Sequence, residues 1–380
     1  MNKQINQLRA DLMAQFPERK DVIDGSFAAV LAGEHVLLIG PPGTAKSALV
    51  RAIAQAFSGS YFERLVSKHS VPEELFGPVS LKALEQDRFV RVTTGKLPEV
   101  EFAFIDEIFK SNSSVLNSLL GVINERQYHN DGVPMQCPLV SLFGASNELP
   151  EGRELEALFD RFLLRFDVQY LLVASNLRNV LTSGEPTIAT KMTMDDLRRA
   201  QAEVGKMKVS DDTIEALLSI RDVLRGDGIV ASDRRWKKSL KLVKAAAWLA
   251  GEKQTCPEDL AILVDGLWRE PKERSKVARI VGNVADPASA QCAEIRDASL
   301  EIALRVSAMK STDRKAYVSQ VAGALEQYDQ QATRLAELAK SAGRRAVATI
   351  NDTLAEIHGL RAELARVVSH GLGIGMRSVP

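Results

Sequence analysis

A short run rich in glycine and proline limits the possible folds of this 380-residue chain more than any other feature: Gly40-Pro41-Pro42-Gly43-Thr44-Ala45-Lys46-Ser47. The apolar run His35–Ile39 precedes it, and apolar residues recur at helical spacing from Leu49 to Phe57 after it. A strand, a glycine-containing loop and a helix in this order form a phosphate-binding loop, because loop amides and the helix N-terminus surround an anion. The sequence therefore predicts an ATP site at Gly40, Pro41, Pro42, Gly43, Thr44, Ala45, Lys46, Ser47 and Ala48.

Two side chains of this loop have predicted roles. Lys46 is placed to reach the β- and γ-phosphates, and the hydroxyl of Ser47 is placed to bind Mg²⁺. Ala45 occupies the position where the usual pattern has its second glycine. We expect the loop to form nonetheless, because Gly43 can supply the unusual backbone conformation and alanine is favourable at a helix start.

Short apolar runs alternate with amphipathic stretches between Val36 and about Val168. This alternation is typical of an α/β fold in which helices cover a parallel sheet. The five predicted strands are Val36–Ile39, Tyr61–Val66, Phe102–Ile105, Leu139–Gly144 and Leu163–Val168. We expect a five-stranded parallel sheet within residues 1–170.

Polar side chains follow two of these strands. Asp106 and Glu107 come directly after the third predicted strand, and Asn147 comes soon after the fourth. Buried carboxylates need a partner, so we expect Asp106 to bind Mg²⁺ together with Ser47. Glu107 would orient or deprotonate the attacking water, and the amide of Asn147 would hold that water against the γ-phosphate. An acidic pair at a helix start and an asparagine that ends a strand are the alternatives.

Arginines occur at two further places. Arg161 precedes the fifth predicted strand and is poorly placed to reach its own nucleotide, which suits a ring where it enters the neighbour's site as an arginine finger. Arg165 is a lesser candidate, and a surface Arg161 paired with Asp160 is the alternative. One arginine near the start of a later helix, Arg234 or Arg235, is predicted to contact the γ-phosphate of its own chain.

After about residue 170 the strand pattern gives way to helices, which predicts a helical domain at residues 171–270. Ser210 and Ser232 are predicted N-caps, and Thr255 with Glu258 is a predicted capping box.

Residues 271–380 form the third predicted domain. Apolar residues recur in steps of three and four from Val318 to Leu335 and from Ile350 to Val367, which predicts two long helices joined near Gly343 as a coiled-coil hairpin. We expect the Gly371–Pro380 tail to be frayed. The mixed charges of the hairpin favour an arm that docks a client or partner, and a brace for a ring is the alternative.

The amino-acid composition limits which binding partners and which cellular compartment we expect. The 49 basic and 49 acidic residues give a formal net charge of zero, so nucleic-acid binding is not expected, and the basic stretch after Ser232 is predicted to be a solvated face. Cys137, Cys256 and Cys292 are far apart and are predicted to be reduced thiols. The polar amino terminus and the lack of an apolar run near the ~20 residues of a membrane span predict a cytoplasmic protein.

Taken together, these motifs resemble those of the MoxR-type AAA+ ATPases and, within them, of the RavA-like branch. The resemblance covers about Val22 to Trp268. Six motifs carry it: Gly40–Ser47, Phe104–Ile108, Ile123–Gln127, Ala145–Pro150, Asp160–Phe162 and Ser232–Lys237.

The resemblance implies a hexamer that hydrolyses ATP to remodel or activate a protein client, together with a separate partner that has a von Willebrand A domain. The implied roles are Walker A for Lys46 and Ser47, Walker B for Asp106 and Glu107, sensor 1 for Asn147, the finger for Arg161 and sensor 2 for Arg234. It also implies an insert at Leu75–Pro98 and a hairpin at Gln127–Pro138 that turns at Asp131-Gly132. RavA-like proteins have a small β-rich domain among their C-terminal helices, whereas Ala288–His370 predicts helix throughout, so partners tied to that domain are not expected.

Two other functions stay open at this point. Replicative helicases share the Gly-Thr-Ala-Lys-Ser loop and an Arg-Phe-Asp signature, here Arg165-Phe166-Asp167, so a DNA-dependent motor is the second reading. The zero net charge and the absence of a nucleic-acid domain before Val36 argue against it. The third reading is a nucleotide-gated scaffold whose hydrolysis only resets assembly.

Overall fold

The computed structural model describes residues 1–182, 184, 188, 190–307 and 314–372, which form two compact units, Met1–Val277 and Ala278–Pro380. The strands are β1 (His35–Ile39), β2 (Tyr61–Leu65), β3 (Phe102–Asp106), β4 (Gln127–Asn130), β5 (Val133–Gln136), β6 (Ser141–Ser146) and β7 (Phe162–Asp167). The helices of the first unit are α1 (Asn2–Gln15), α2 (Lys20–Ala32), α3 (Lys46–Ala56), α4 (Pro72–Phe76), α5 (Leu81–Leu84), α6 (Ser113–Glu125), α7 (Arg153–Phe159), α8 (Ala174–Thr182), α9 (Met194–Lys206), α10 (Asp211–Gly226), α11 (Asp233–Ala250) and α12 (Val264–Leu267). They are followed by α13 (Arg274–Ala285), α14 (Pro287–Ser307), α15 (Arg314–Ser341) and α16 (Arg344–Leu372). Within the described ranges, no helix is both long and apolar enough to cross a membrane.

Five strands form one parallel sheet in the order β2-β3-β6-β1-β7, as predicted. Its central strands are buried on both faces, which explains their continuous apolar runs. Ile39 pairs with both Ser146 and Asp167, so β1, β6 and β7 end side by side. We call the side where these strands end the carboxyl edge, and the side where they begin the amino edge.

The bounds of four predicted strands are correct to within one residue, and those of the fourth predicted strand are not. The prediction was Leu139–Gly144, whereas β6 runs from Ser141 to Ser146. The amide of Val140 bonds the carbonyl of Glu101, just before β3, so the ladder with β3 starts only at Ser141. As a result, β6 ends at Ser146, the residue before Asn147.

Both predicted inserts are present, and they contact each other. The first includes α4 and α5, and the second is the antiparallel hairpin β4–β5, whose turn residues Asp131 and Gly132 have φ of 54° and 76° as a tight hairpin requires. The backbone amide of Phe89 donates to Asp131 Oδ1 at 2.9 Å, and that of Arg91 donates to Asn130 Oδ1 at 2.7 Å. The two inserts therefore form one surface module.

The helical domain confirms the predicted N-caps, since Ser210 and Ser232 each accept a hydrogen bond from the backbone three residues on. The capping box predicted at Thr255 and Glu258 is wrong: the pair is Cys256 and Asp259, one residue later. The Thr255 hydroxyl is used elsewhere, because it accepts from the Ser210 amide and bonds the Thr213 hydroxyl.

An ion pair network joins this helical domain to the sheet at the amino edge. Glu34, just before β1, has only 2% of its side chain exposed, and its carboxylate lies 2.7 Å from Lys238 Nζ and 2.8 Å from Lys241 Nζ of α11. Part of the basic stretch predicted to be a solvated face therefore fastens α11 to the sheet.

The second unit confirms the predicted hairpin, in which α15 ends at Ser341 and α16 begins at Arg344. A third helix, α14, packs against both, so the unit is a three-helix bundle. Its buried seam includes Cys292, Tyr328, Ile350 and Ile357. Of the tail predicted to be frayed, Gly371 and Leu372 belong to α16, and residues 373–380 lie outside the described ranges.

Candidate active site

The loop after β1 has a backbone that few residues other than glycine adopt. Gly40 and Gly43 have φ of 149° and 79°, and a Cβ on Gly40 would lie 2.1 Å from the carbonyl oxygen of Val168. Ala45 is also left-handed, with φ of 62°, and lies before the first residue of α3. The expected benefit of alanine at a helix start is therefore wrong here. Alanine costs about 1–2 kcal/mol in this conformation, which accounts for the glycine of the usual pattern.

Lys46 begins α3, and its amine lies over the loop. Lys46 Nζ donates to the carbonyl oxygens of Gly40 and Pro41 at 2.9 and 2.7 Å. Ser47 and Ala48 follow in the first helical turn, where backbone amides have no partner within the helix. The loop thus presents a cation and unpaired amides to one small volume, as an anion site requires.

The acidic pair lies at the same edge of the sheet. Asp106 ends β3, and Glu107 follows with φ of 54°, a conformation in which strain is common at functional sites. The buried Oε2 atom of Glu107 accepts no hydrogen bond from the described residues, and Lys110 Nζ lies 3.2 Å away as an ion pair. Burial lowers the pKa of Lys46, and the charges of Asp106 and Glu107 oppose that shift. The amine and both carboxylates therefore share one electrostatic environment.

Asn147 follows the last residue of β6 and is exposed. The neighbouring Ser146 carbonyl accepts a hydrogen bond from the Gly40 amide at 2.9 Å, so Asn147 directly adjoins the loop. The structure thus brings Lys46, the acidic pair and Asn147 together at the carboxyl edge. Their chemical roles stay predictions.

A cavity of about 400 Å³ opens at the carboxyl end of β7 and was not predicted from the sequence. Its volume suits a small ligand such as a nucleoside. Its lining combines the start of α2, the end of β7 and the helical domain: Glu18, Lys20, Asp21, Val22, Phe166, Asp167, Asp265 and Arg274. Residues so far apart in the chain meet only in the fold, so no local motif marks them.

Arg19 is a second feature that sequence reasoning missed. It is 9% exposed, and its Nη2 atom donates to the carbonyl of Gln169 at 2.6 Å. Gln169 follows Val168, whose carbonyl touches Gly40. Burial is the main cause of the lowered pKa of Lys46, and the positive charge of Arg19 lowers that pKa further. Arg19 is therefore a candidate contact for a bound nucleotide.

Arg161 lies far from this site, at the amino edge. It precedes Phe162, which pairs with His35 at the start of β1, whereas the loop follows the end of β1. Six residues of β7 span about 16 Å at 3.3 Å per residue, so Arg161 does not reach the loop of its own chain. Its Nε donates to Asn124 Oδ1 at 3.0 Å, while Asp160 instead pairs with Arg235.

Arg234 lies at the same amino edge. The adjacent Arg235 is 3% exposed and donates to the carbonyls of Phe162 and Leu163 at 2.8 and 2.9 Å, which fixes the start of α11 against the start of β7. Arg234 is exposed. Burial lowers the pKa of Arg161, and the positive charge of Arg234 lowers it further. Arg234 therefore lies at the edge opposite the phosphate loop of its own chain, and its predicted contact with that chain's γ-phosphate stays a prediction.

Arg165, the lesser candidate for a finger, is buried. Only 2% of it is exposed, its guanidinium lies 3.8 Å from the centre of the Phe159 ring, and it donates to the Trp268 carbonyl. A side chain enclosed in this way joins the sheet to the helical domain and cannot extend into a neighbouring molecule.

The contacts of Arg235 predict that its loss destabilises the fold more than the loss of the adjacent Arg234. Arg235→Ala should lower the free energy of unfolding by about 2–4 kcal/mol, because buried carbonyls at Phe162, Leu163 and Gly266 lose their donor. Arg234→Ala should change it by less than about 0.5 kcal/mol, as for other exposed positions. Urea denaturation of both variants measures this, and equal losses would contradict the contacts described.

Two family models match the chain. Residues 3–209 match the family described as the MoxR domain in the MoxR-vWA-beta-propeller ternary systems, and residues 212–281 match an AAA lid domain.

Relatives and a solved structure agree with these matches. Two uncharacterized proteins of Methanocaldococcus jannaschii are 45% and 41% identical to the chain over 279 and 284 residues, covering 72% and 74% of this chain and 74% of each relative. The chaperone MoxR1 of Mycobacterium tuberculosis is 28% identical over 153 residues, or 39% of this chain and 40% of that protein. A solved structure from Cytophaga hutchinsonii, provisionally assigned as an ATPase, matches with a TM-score of 0.61 at 20% identity over 74% of this chain and 93% of its own, which shows the fold alone.

Proposed function

Because the chain belongs to the MoxR family of AAA+ ATPases, we propose that it is a Mg²⁺-dependent ATPase whose active site is completed by a neighbouring copy of the same chain. The observation that carries this proposal is the separation of the two halves of the site. The phosphate loop and the acidic pair lie at the carboxyl edge, and Arg161 with Arg234 lies at the amino edge.

The carboxyl edge supplies the binding half. Lys46 would exchange the carbonyls of Gly40 and Pro41 for oxygens of the β- and γ-phosphates. Ser47 and Asp106 offer the oxygen ligands that Mg²⁺ prefers, and the bound ion would neutralise phosphate charge. The cavity at the carboxyl end of β7, the strand paired with β1, would take the nucleoside.

Glu107 would prepare the water. Its buried Oε2 atom pairs with Lys110 Nζ at 3.2 Å and accepts no hydrogen bond from the described residues, so it could still accept one from a water molecule at the γ-phosphate. Asn147, exposed at the end of β6, would hold the same water from the other side.

The amino edge supplies the other half, in trans. Arg161 and Arg234 are like charges close enough to influence each other, and such a pair favours an incoming anion. Placed against the loop of the next copy, they would act as finger and second sensor on its γ-phosphate. A contact that joins one edge to the opposite edge of the next copy is heterologous, and such contacts form a ring when the rotation between copies closes. The ring that we propose is a homo-hexamer.

We further propose that the ring remodels or activates a protein client in the cytoplasm with a separate von Willebrand A domain partner. The description of the matching family, which pairs MoxR with vWA and β-propeller proteins, supports the partner. The name of the M. tuberculosis relative, a chaperone, supports the client. Placement in the RavA-like branch rests on the motifs alone, and the described part of the second unit contains helices only.

Turnover measured against protein concentration tests this function. If two chains share each site, Mg²⁺-dependent ATP hydrolysis per chain should rise with concentration and then level off as rings form. Added single- or double-stranded DNA should leave the plateau unchanged. Activity per chain that is constant down to the monomer would contradict the shared site, and stimulation by DNA would favour the helicase reading.

The C-terminal bundle is the proposed docking platform for the client or partner, since its sequence matches no nucleotide-contacting motif. The truncation that tests it belongs after Ala285, because Arg274 of α13 pairs with Asp265 at 2.6 Å and a cut at Trp268 would break that pair. The shortened chain should keep its ATPase activity and its concentration dependence. Loss of both together would favour a brace for the ring.

A further inference from the structure

The orientation of Arg161 is set by a residue outside every motif assigned so far to the ATP site. Arg161 Nε donates to Asn124 Oδ1 at 3.0 Å, and its Nη1 donates to the Ala157 carbonyl at 2.9 Å. The guanidinium has donors only, so the Asn124 atom that faces it must be the amide oxygen.

A carboxylate in that place would hold the arginine equally well but would neutralise it. Asp160, the carboxylate next to Arg161 in sequence, is turned away, with Oδ1 3.3 Å from Arg235 Nε and Oδ2 3.3 Å from Ser232 Oγ. Arg161 is thus oriented by neutral acceptors, and its positive charge stays available for an anion.

The helix that bears Asn124 is fixed at both ends. At its start, Asn112 caps α6 and its side-chain amide donates to the Ser70 carbonyl at 2.6 Å. At its end, Arg126 donates to the Gly33 carbonyl at 2.7 Å, just before β1. Asn124 therefore holds Arg161 in a fixed relation to the sheet, and it does so across 37 residues of sequence.

We propose that Asn124 is a positioning residue for ATP hydrolysis: its side-chain oxygen holds Arg161 in the orientation in which it enters the neighbouring site. This inference rests on the proposed function of Arg161. It assigns no contact with nucleotide to Asn124 itself, which acts only through the arginine.

Steady-state ATP hydrolysis by the full-length Asn124→Ala variant tests the proposal. The loss of one hydrogen bond that orients a charged group should lower kcat by about 10- to 100-fold, with KM for ATP changed less than about twofold, because the binding half of the site is untouched. The matched control is Asn117→Ala, an exposed asparagine on the same helix, which should behave as the wild type. Thermal unfolding of each variant checks that the fold is kept.

A double-mutant cycle separates positioning from a structural role. If Asn124 acts only through Arg161, the variant that combines Asn124→Ala with Arg161→Ala should be no slower than Arg161→Ala alone. Losses that multiply in the double variant, or wild-type kcat in Asn124→Ala, would overturn the proposal. Wild-type kcat in Arg161→Ala itself would instead refute the finger, so the two failures are distinguishable.

Discussion

Replacing Arg161 by alanine is expected to lower the rate of ATP hydrolysis by about 10³- to 10⁵-fold, the range for the loss of an arginine finger. Binding of ATP to the isolated chain should be unchanged, because Arg161 lies at the amino edge, about 16 Å along β7 from the edge that carries the phosphate loop. Steady-state ATP hydrolysis measures the rate, and equilibrium binding of a fluorescent ATP analogue measures the affinity.

Arg165→Ala is the instructive comparison for this variant. Arg165 is buried against Phe159 and bonds Trp268, so its loss should appear as lower stability. If Arg161→Ala instead loses ATP affinity by the same factor as its hydrolysis rate, that result would contradict an action of Arg161 on the neighbouring chain.

The second large effect is expected at the acidic pair. Glu107→Gln should keep ATP and Mg²⁺ binding and lower turnover by at least about 10²-fold, because the amide retains the shape of the side chain but cannot accept a proton. Single-turnover hydrolysis of radiolabelled ATP, with retention of ATP on the protein, measures this.

Lys46→Ala serves as the contrasting variant, since it should abolish ATP binding by removing the principal cation of the loop. Wild-type-like hydrolysis by the glutamine variant would remove Glu107 from its assigned role. The glutamine variant should also retain ATP, which would allow capture of the proposed client.

Local patterns predicted correctly that the phosphate loop and the acidic pair lie at the same edge of the sheet. The loop from Gly40 to Ser47 and the acidic pair each follow a strand directly, and parallel strands end at a common edge. Their proximity therefore follows from topology alone. Ala45 shows the limit of this reasoning, because its left-handed conformation depends on how the loop closes and not on helix propensity.

The arginines were less predictable because their roles depend on packing. Arg234 and Arg235 share the first turn of α11, and the sequence cannot tell which is turned inward. Only the carbonyls of Phe162 and Leu163 on β7 decide that Arg235 is buried and Arg234 exposed. The same contacts place α11 at the amino edge, which is why we propose that Arg234 acts on the neighbouring copy.

Long-range contacts also explain the residues that were missed. Arg19 meets Gln169 across 150 residues, and Asn124 meets Arg161 across 37. Arg19 lies outside every motif, and Asn124 lies within the Ile123–Gln127 motif, to which the sequence assigned no role in the ATP site. The capping box failed by a single residue because Thr255 bonds Ser210, a tertiary contact that overrides the local preference.

Mixing two inactive variants tests the shared site most directly. Lys46→Ala chains keep Arg161 and are expected to bind no ATP, whereas Arg161→Ala chains are expected to bind ATP and lack the proposed finger. In a randomly mixed 1:1 ring, roughly a quarter of the interfaces would pair an intact loop with an intact arginine, so turnover should recover to about a quarter of the wild-type value. A mixture no more active than its two parents would contradict a site built from two chains.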